Sequence, residues 1–194
     1  MDYKIVLTGI GIVIGLVSYG FYFYGIYRGK TKPHVFTWFV WTILNGIVFF
    51  AQIYKGGGFG SWIVGVNALS CLAVTIAAII YGEKHITRAD WFSFFGALSG
   101  IALWLITKNP LLAVILSSVV DIFAIIPTFR KSYYKPQEEN ALAFTFDTIK
   151  FALSLFALKS FNLTTVFYPA SVVLIDSVLV LMILIRRKKL NPNP

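Results

Sequence analysis

The sequence predicts an all-α integral membrane protein: seven transmembrane helices, two parallel three-helix repeats joined by a linker helix. Three observations lead there. Hydrophobic residues make up 58% of the 194 positions and charged residues 13%, against about 45–50% and about 25% in soluble domains. The apolar residues fall in runs close to the roughly 20 that a helix needs to cross a bilayer. The lysines and arginines gather in the short gaps between those runs, as topology signals do. A soluble protein of this composition exposes enough apolar surface to aggregate.

The first span runs from Ile5 to Tyr27. Its lead-in, Met1-Asp2-Tyr3-Lys4, lacks the basic start and small-residue cleavage site of a signal peptide, so it reads as a retained helix. A second span covers Val35–Tyr54 and a third Phe59–Tyr81, separated by Gly56-Gly57-Gly58, which reads as a flexible outer turn. The glycine run has no following lysine-serine pair and is not a phosphate loop. Trp91–Thr107 forms a short fourth span, Leu111–Phe129 a fifth, Ala141–Leu158 a sixth and Thr164–Ile185 a seventh. Every connection is short, which leaves no room for an extramembrane domain. The chain divides into residues 1–82, a linker at 83–108, and residues 109–194 with a basic tail.

Orientation follows from the cations. One side collects Arg28, Lys30, Lys32, Lys84, Arg88, Arg130, Lys131 and Lys135, with Arg186-Arg187-Lys188-Lys189. The other has Lys4, Lys55, Lys108 and Lys159. Twelve against four places the N-terminus outside and the C-terminus in the cytoplasm. The net charge of +9 is thereby accounted for beside a lipid bilayer. No basic stripe on a polar domain and no motif indicates nucleic acid. One cysteine, Cys71, excludes an intramolecular disulfide, and His34 and His85 lie too far apart for a zinc motif. No metal and no cofactor is expected.

The chain also folds onto itself. The first span ends in Gly25-Ile26-Tyr27-Arg28 and leads through Lys32-Pro33 into the second. The fifth ends in Pro127-Thr128-Phe129-Arg130 and leads through Lys135-Pro136 into the sixth. Each half then carries a short outer loop with one lysine, Lys55 or Lys159, before its closing helix. Two three-helix units joined directly would insert with opposite orientations, so one extra crossing makes them parallel. Parallel repeats belong to transport folds that bind substrate near the midplane.

This arrangement resembles the SWEET, PQ-loop and Pnu-type vitamin transporter superfamily. Trp38-x-x-Trp41-x-x-x-Asn45, Ile53-Tyr54-Lys55-Gly56 and Asn162-Leu163-Thr164-Thr165-Val166-Phe167-Tyr168 are similar to the aromatic-polar helix, turn and next helix start of Pnu-type members. Where PQ-loop members have a proline-glutamine pair, Pro127-Thr128 keeps the proline and Gly25-Ile26 keeps neither residue. The resemblance implies alternating access with a hinge at Pro127. Chains of this type are often bacterial, so a bacterial cytoplasmic membrane is expected.

Charged residues inside spans cost about 2.5–3.5 kcal/mol on insertion scales and should face the bundle interior. Asp121, Asp147, Lys150 and Asp176 are of this kind, all in the second half. Asp147 and Lys150 are three apart and pair on one helical face, either as a packing device or as a site. Asp121 and Asp176 have no lysine nearby in sequence and are the candidates for proton or ion coupling. The first half offers Asn45 and Asn67 in related places, with Tyr19 opposite Asp121. Trp38, Trp41 and Asn45 form one stripe; Trp38 reads as an interfacial anchor, while Trp41 and Asn45 lie deeper. An indole stacks on a ring and asparagine both donates and accepts. Tyr19, Phe21, Tyr22, Phe23, Tyr24 and Tyr27 wrap around their helix as packing or belt.

A transporter of a small polar solute such as a sugar, nucleoside or vitamin is therefore expected, facilitative or ion-coupled, since no nucleotide-binding motif is present. Its substrate site would comprise Trp41, Asn45, Asn67, Asp147, Lys150 and Asp176. A receptor or assembly factor on the same fold, without flux, is the alternative. No nucleophile-base arrangement points to an enzyme. A homo-oligomer is compatible with all of this.

Overall fold

The computed structural model describes residues 2–82, 86–107 and 109–190. Lys84, His85 and Lys108 lie outside the described residues. Seven α-helices follow in order: α1 (Tyr3–Tyr27), α2 (Val35–Tyr54), α3 (Ser61–Tyr81), α4 (Arg88–Thr107), α5 (Pro110–Tyr134), α6 (Ala141–Ala157) and α7 (Leu163–Leu190). Among the described residues there is no strand. Five helices are long and apolar enough to cross a membrane: α1, α2, α3 with its leading turn, α5 and α7. At 17 residues α6 falls short of that length. The architecture is consistent with an integral membrane protein.

Short polar residues start the helices. Asp2 Oδ1 accepts from Lys4 N. Asn109 caps α5 by accepting from the amides of Leu111 and Leu112, ahead of Pro110, whose missing N–H costs nothing at the first helical position. Asn140 and Asn162 do the same at α6 and α7, through the amides of Ala143 and Thr165. Each cap satisfies donors that have no partner within the helix.

Apolar bulk faces outward and polar groups face inward. Leu69, Ile79 and Leu174 are each more than 60% exposed, whereas Asn45, Asn67, Asp121, Lys150 and Asp176 are at most 5% exposed. Water would penalise that distribution, while a hydrocarbon solvent stabilises it, because lipid leaves internal partners as the main recourse for polar groups.

In the first three helices α3 packs on both α1 and α2, while the backbones of α1 and α2 stay apart. In the last three, α7 packs on both α5 and α6, which likewise stay apart. Across the halves α1 packs on α6, and α2 on α5. The α4 helix leans chiefly on α5. At the basic end, Arg187 donates to the carbonyls of Pro136 and Glu139, and Arg186 to that of Tyr133. These residues thus hold the α5–α6 connection in addition to carrying charge.

The opposite end is sealed. The Gly56–Gly58 run forms a built turn that docks against the other half: Gly57 O accepts from Lys159 N at 3.0 Å. Lys4 Nζ donates to Leu158 O at 2.7 Å. A Cβ on Gly60 would sit 2.8 Å from the backbone of Ala157 and Leu158, so glycine is required for this approach. Just below, Pro169 interrupts α7. Lacking an N–H, it leaves the Thr165 carbonyl without its intrahelical donor. Gln52 of α2, fully buried, supplies one through Nε2 at 2.9 Å. The sequence reading did not single out Pro169, and nominated Pro127, which falls within α5, its side chain outside those described.

Replacing Gln52 by Leu strands that carbonyl and is expected to cost about 1–3 kcal/mol, read as a lower apparent Tm in detergent. In a Pro169→Ala background the helix supplies its own donor, and the same replacement should cost markedly less. Equal losses in both backgrounds would show that Gln52 does not act through the proline.

Candidate functional site

Where the two halves face each other, midway along the helices and toward their basic ends, lies a cavity of about 50 Å³. Tyr19 and Tyr22 of α1, Trp38, Trp41 and Asn45 of α2, and Asn67 and Cys71 of α3 form one wall. Asp121 of α5, Asp147 and Phe151 of α6, and Tyr168, Val172 and Asp176 of α7 form the other. The volume is about a third of the ~150 Å³ apolar cavity known to take benzene. That leaves room for a solute of a few heavy atoms and too little for a ring.

Lys150 organises the site without lining it. It is 2% exposed, and its stem crosses α1 at Gly15, where a Cβ would meet Lys150 Cδ at 2.8 Å. The ammonium binds Asp147 Oδ1, one turn earlier on α6, and donates to Asn67 Oδ1 at 2.6 Å. It also stands over the Phe151 ring at 4.9 Å and the Tyr19 ring at 5.3 Å, a cation–π arrangement. Asn67 Oδ1 takes a second bond from Tyr19 Oη at 2.8 Å. Its Nδ2 donates to Asn45 Oδ1 at 3.0 Å, and Asn45 Nδ2 donates to the Trp41 carbonyl. A continuous chain thus links α6, α3, α1 and α2.

Asp121 is held separately, accepting from Trp41 Nε1 at 2.6 Å. Asp176 is 5% exposed and lines the cavity, and no described residue donates a hydrogen bond to it. It shares the cavity wall with Asp121 and Asp147. Among the described residues no group of three His, Cys, Asp or Glu side chains is disposed to hold a metal ion.

Trp41, Asn45, Asn67, Asp121, Asp147 and Asp176 therefore meet in one place, with Lys150 behind them. Trp38 departs from its reading as an interfacial anchor. It is 8% exposed and packed edge-on or tilted against Tyr19, Tyr22 and Trp41, because its face of α2 turns toward α1. Trp62 and Trp91 are about half exposed, as anchors are. The side chain of Trp104 lies outside those described.

Tyr22, Cys71 and Tyr168 were not nominated from the sequence, and Tyr19, placed opposite Asp121, was not assigned to the site. The signal for Tyr168 was present: Tyr168, Val172 and Asp176 recur every fourth residue, one helical face. Tyr19 and Tyr22 were hidden in an aromatic run that wraps the helix. No protein-family model matches the chain, and no curated protein and no solved structure matches it.

Removing one partner of a buried ion pair leaves an uncompensated charge, at a cost of about 3–5 kcal/mol. Lys150→Met should therefore sharply lower the thermal stability of the purified protein. The double variant Lys150→Met/Asp147→Leu should recover most of the loss. A double variant no more stable than the single one would mean that the pair does not hold the bundle.

Proposed function

We propose that the chain is an integral membrane transporter, facilitative or ion-coupled, that moves a small polar solute by alternating access between its two halves. The observation that carries this reading is the cavity itself. Both halves wall it, charged side chains reach it from the middle of apolar helices, and one of its two ends is sealed. Charge buried at a helix centre is costly to insert and marks solute or ion pathways.

On this reading all seven helices cross the membrane. The first three and the last three are parallel repeats of the SWEET, PQ-loop and Pnu type, with α4 as the linker. The matched packing supports it: the third helix of each triplet touches the other two, and α1 meets α6 as α5 meets α2. The N-terminus lies outside and the basic C-terminus in the cytoplasm of a bacterial cell. The sealed end is then the outer gate, and the cavity sits toward the cytoplasm. Access alternates when the α2–α3 turn leaves the α6–α7 turn, with Pro127 and Pro169 as sites where helices bend.

The gate gives the test. A Cβ on Gly58 would lie 2.8 Å from Lys159 Cβ, so a disulfide there needs the two turns to part by roughly 1 Å and a non-glycine residue to hold the left-handed backbone of Gly58. Oxidised Gly58→Cys/Lys159→Cys protein in liposomes should lose uptake of whichever solute the unmodified protein carries, and regain it on reduction. Uptake that continues with the bridge closed would remove the gate. A solute that binds yet never enters the liposomes would favour a receptor on the same fold.

A further inference from the structure

We infer that the cavity selects a small organic ammonium ion, bound at Asp176, over a neutral sugar-like solute or an anion. The inference rests on the transporter reading only for its location, since the binding chemistry stands alone.

Counting donors and acceptors leads there. Several donors in the wall are committed to the protein. The Trp41 N–H goes to Asp121, the Tyr19 hydroxyl to Asn67, and one N–H of Asn67 to Asn45. Lys150 spends two of its three donor positions on Asp147 and Asn67. The wall keeps the Tyr22 and Tyr168 hydroxyls, which can donate or accept, and three carboxyl groups, Asp121, Asp147 and Asp176. An anionic solute meets those three carboxyl groups, while an ammonium finds their oxygens as acceptors.

Charge points the same way. Asp121, Asp147 and Asp176 all line the cavity, while Lys150, behind it, is already paired with Asp147. A carboxylate buried without a partner is costly, and Asp176 is 5% exposed with no donor among the described residues. The aromatic walls refine the class. Trp38 packs 4.9 Å from the tilted ring of Tyr22 and 5.0 Å, edge to face, from Trp41, and ring faces attract weakly hydrated organic cations. A chelated metal ion is disfavoured, because the three carboxyl groups line the cavity without being disposed to hold one ion together. The volume of about 50 Å³ fits a cation of a few heavy atoms.

Methylammonium chloride is the probe. Thermal unfolding of the full-length purified protein would be followed against methylammonium, with sodium chloride as an inorganic-cation control, formamide as a neutral one and sodium acetate as an anionic one, at constant ionic strength. Methylammonium alone should raise Tm in a saturable way. Asp176→Asn should weaken its binding about tenfold or more, the loss of one charge-assisted bond, whereas Asp176→Glu, which keeps the charge, should retain it. A comparable rise with formamide or acetate would overturn the cation assignment. So would a methylammonium effect of unchanged strength in a folded Asp176→Asn variant, or no effect in the unmodified protein. Uptake of radiolabelled methylammonium into protein-containing and protein-free liposomes separates the two readings. Saturable binding without uptake keeps the cation site and removes transport. Uptake of another solute with no methylammonium binding keeps transport and removes the cation site.

Discussion

A lysine ammonium held among apolar helices, with nowhere to hydrate, sets the terms for the rest of the molecule. Lys150 must be met by groups that the chain itself brings to it, since unpaired charge in a low-dielectric interior is costly. Asp147 meets it from the same helix, and Asn67 from α3. Gly15 clears the path for its stem. Asn67 must in turn keep its amide occupied, which brings in Asn45 and fixes α2 against α3. The position of one ammonium thus fixes side chains on four helices, and the cavity is the space beside that network.

The far end of the molecule is governed by a different shortage. There a proline removes a donor and a glutamine from the other half replaces it, while glycine permits two backbones to touch. Both contacts join the two halves at this end, one through a single side-chain hydrogen bond and one through a close backbone approach.

Helix positions were legible in the sequence. The span read as Val35–Tyr54 coincides with α2, and the span read as Ala141–Leu158 with α6 to one residue. Hydropathy locates such segments because a long apolar run has few other soluble fates. The buried charges were legible too, since insertion cost makes them conspicuous. Helix rotation was not. Trp38 looked interfacial from its depth in sequence, yet its azimuth sends it inward, and only packing against α1 decides that. Tyr19 and Tyr22 were lost in an aromatic run whose members differ solely in which neighbour they face. Pro169 was passed over because the residue that compensates for it, Gln52, lies more than a hundred positions away.

The brevity of α6 has a consequence for the surrounding lipid. Seventeen residues rise about 25 Å as a helix, against a hydrocarbon thickness of about 30 Å. On the proposed seven-span reading, a bilayer crossed by this helix would thin or dimple beside it, at a modest cost per ångström. Headgroups and interfacial water would then be drawn toward the helix that carries Asp147 and Lys150. Membrane thickness, and so the acyl composition of the host lipid, would act on the interior of the protein from outside it.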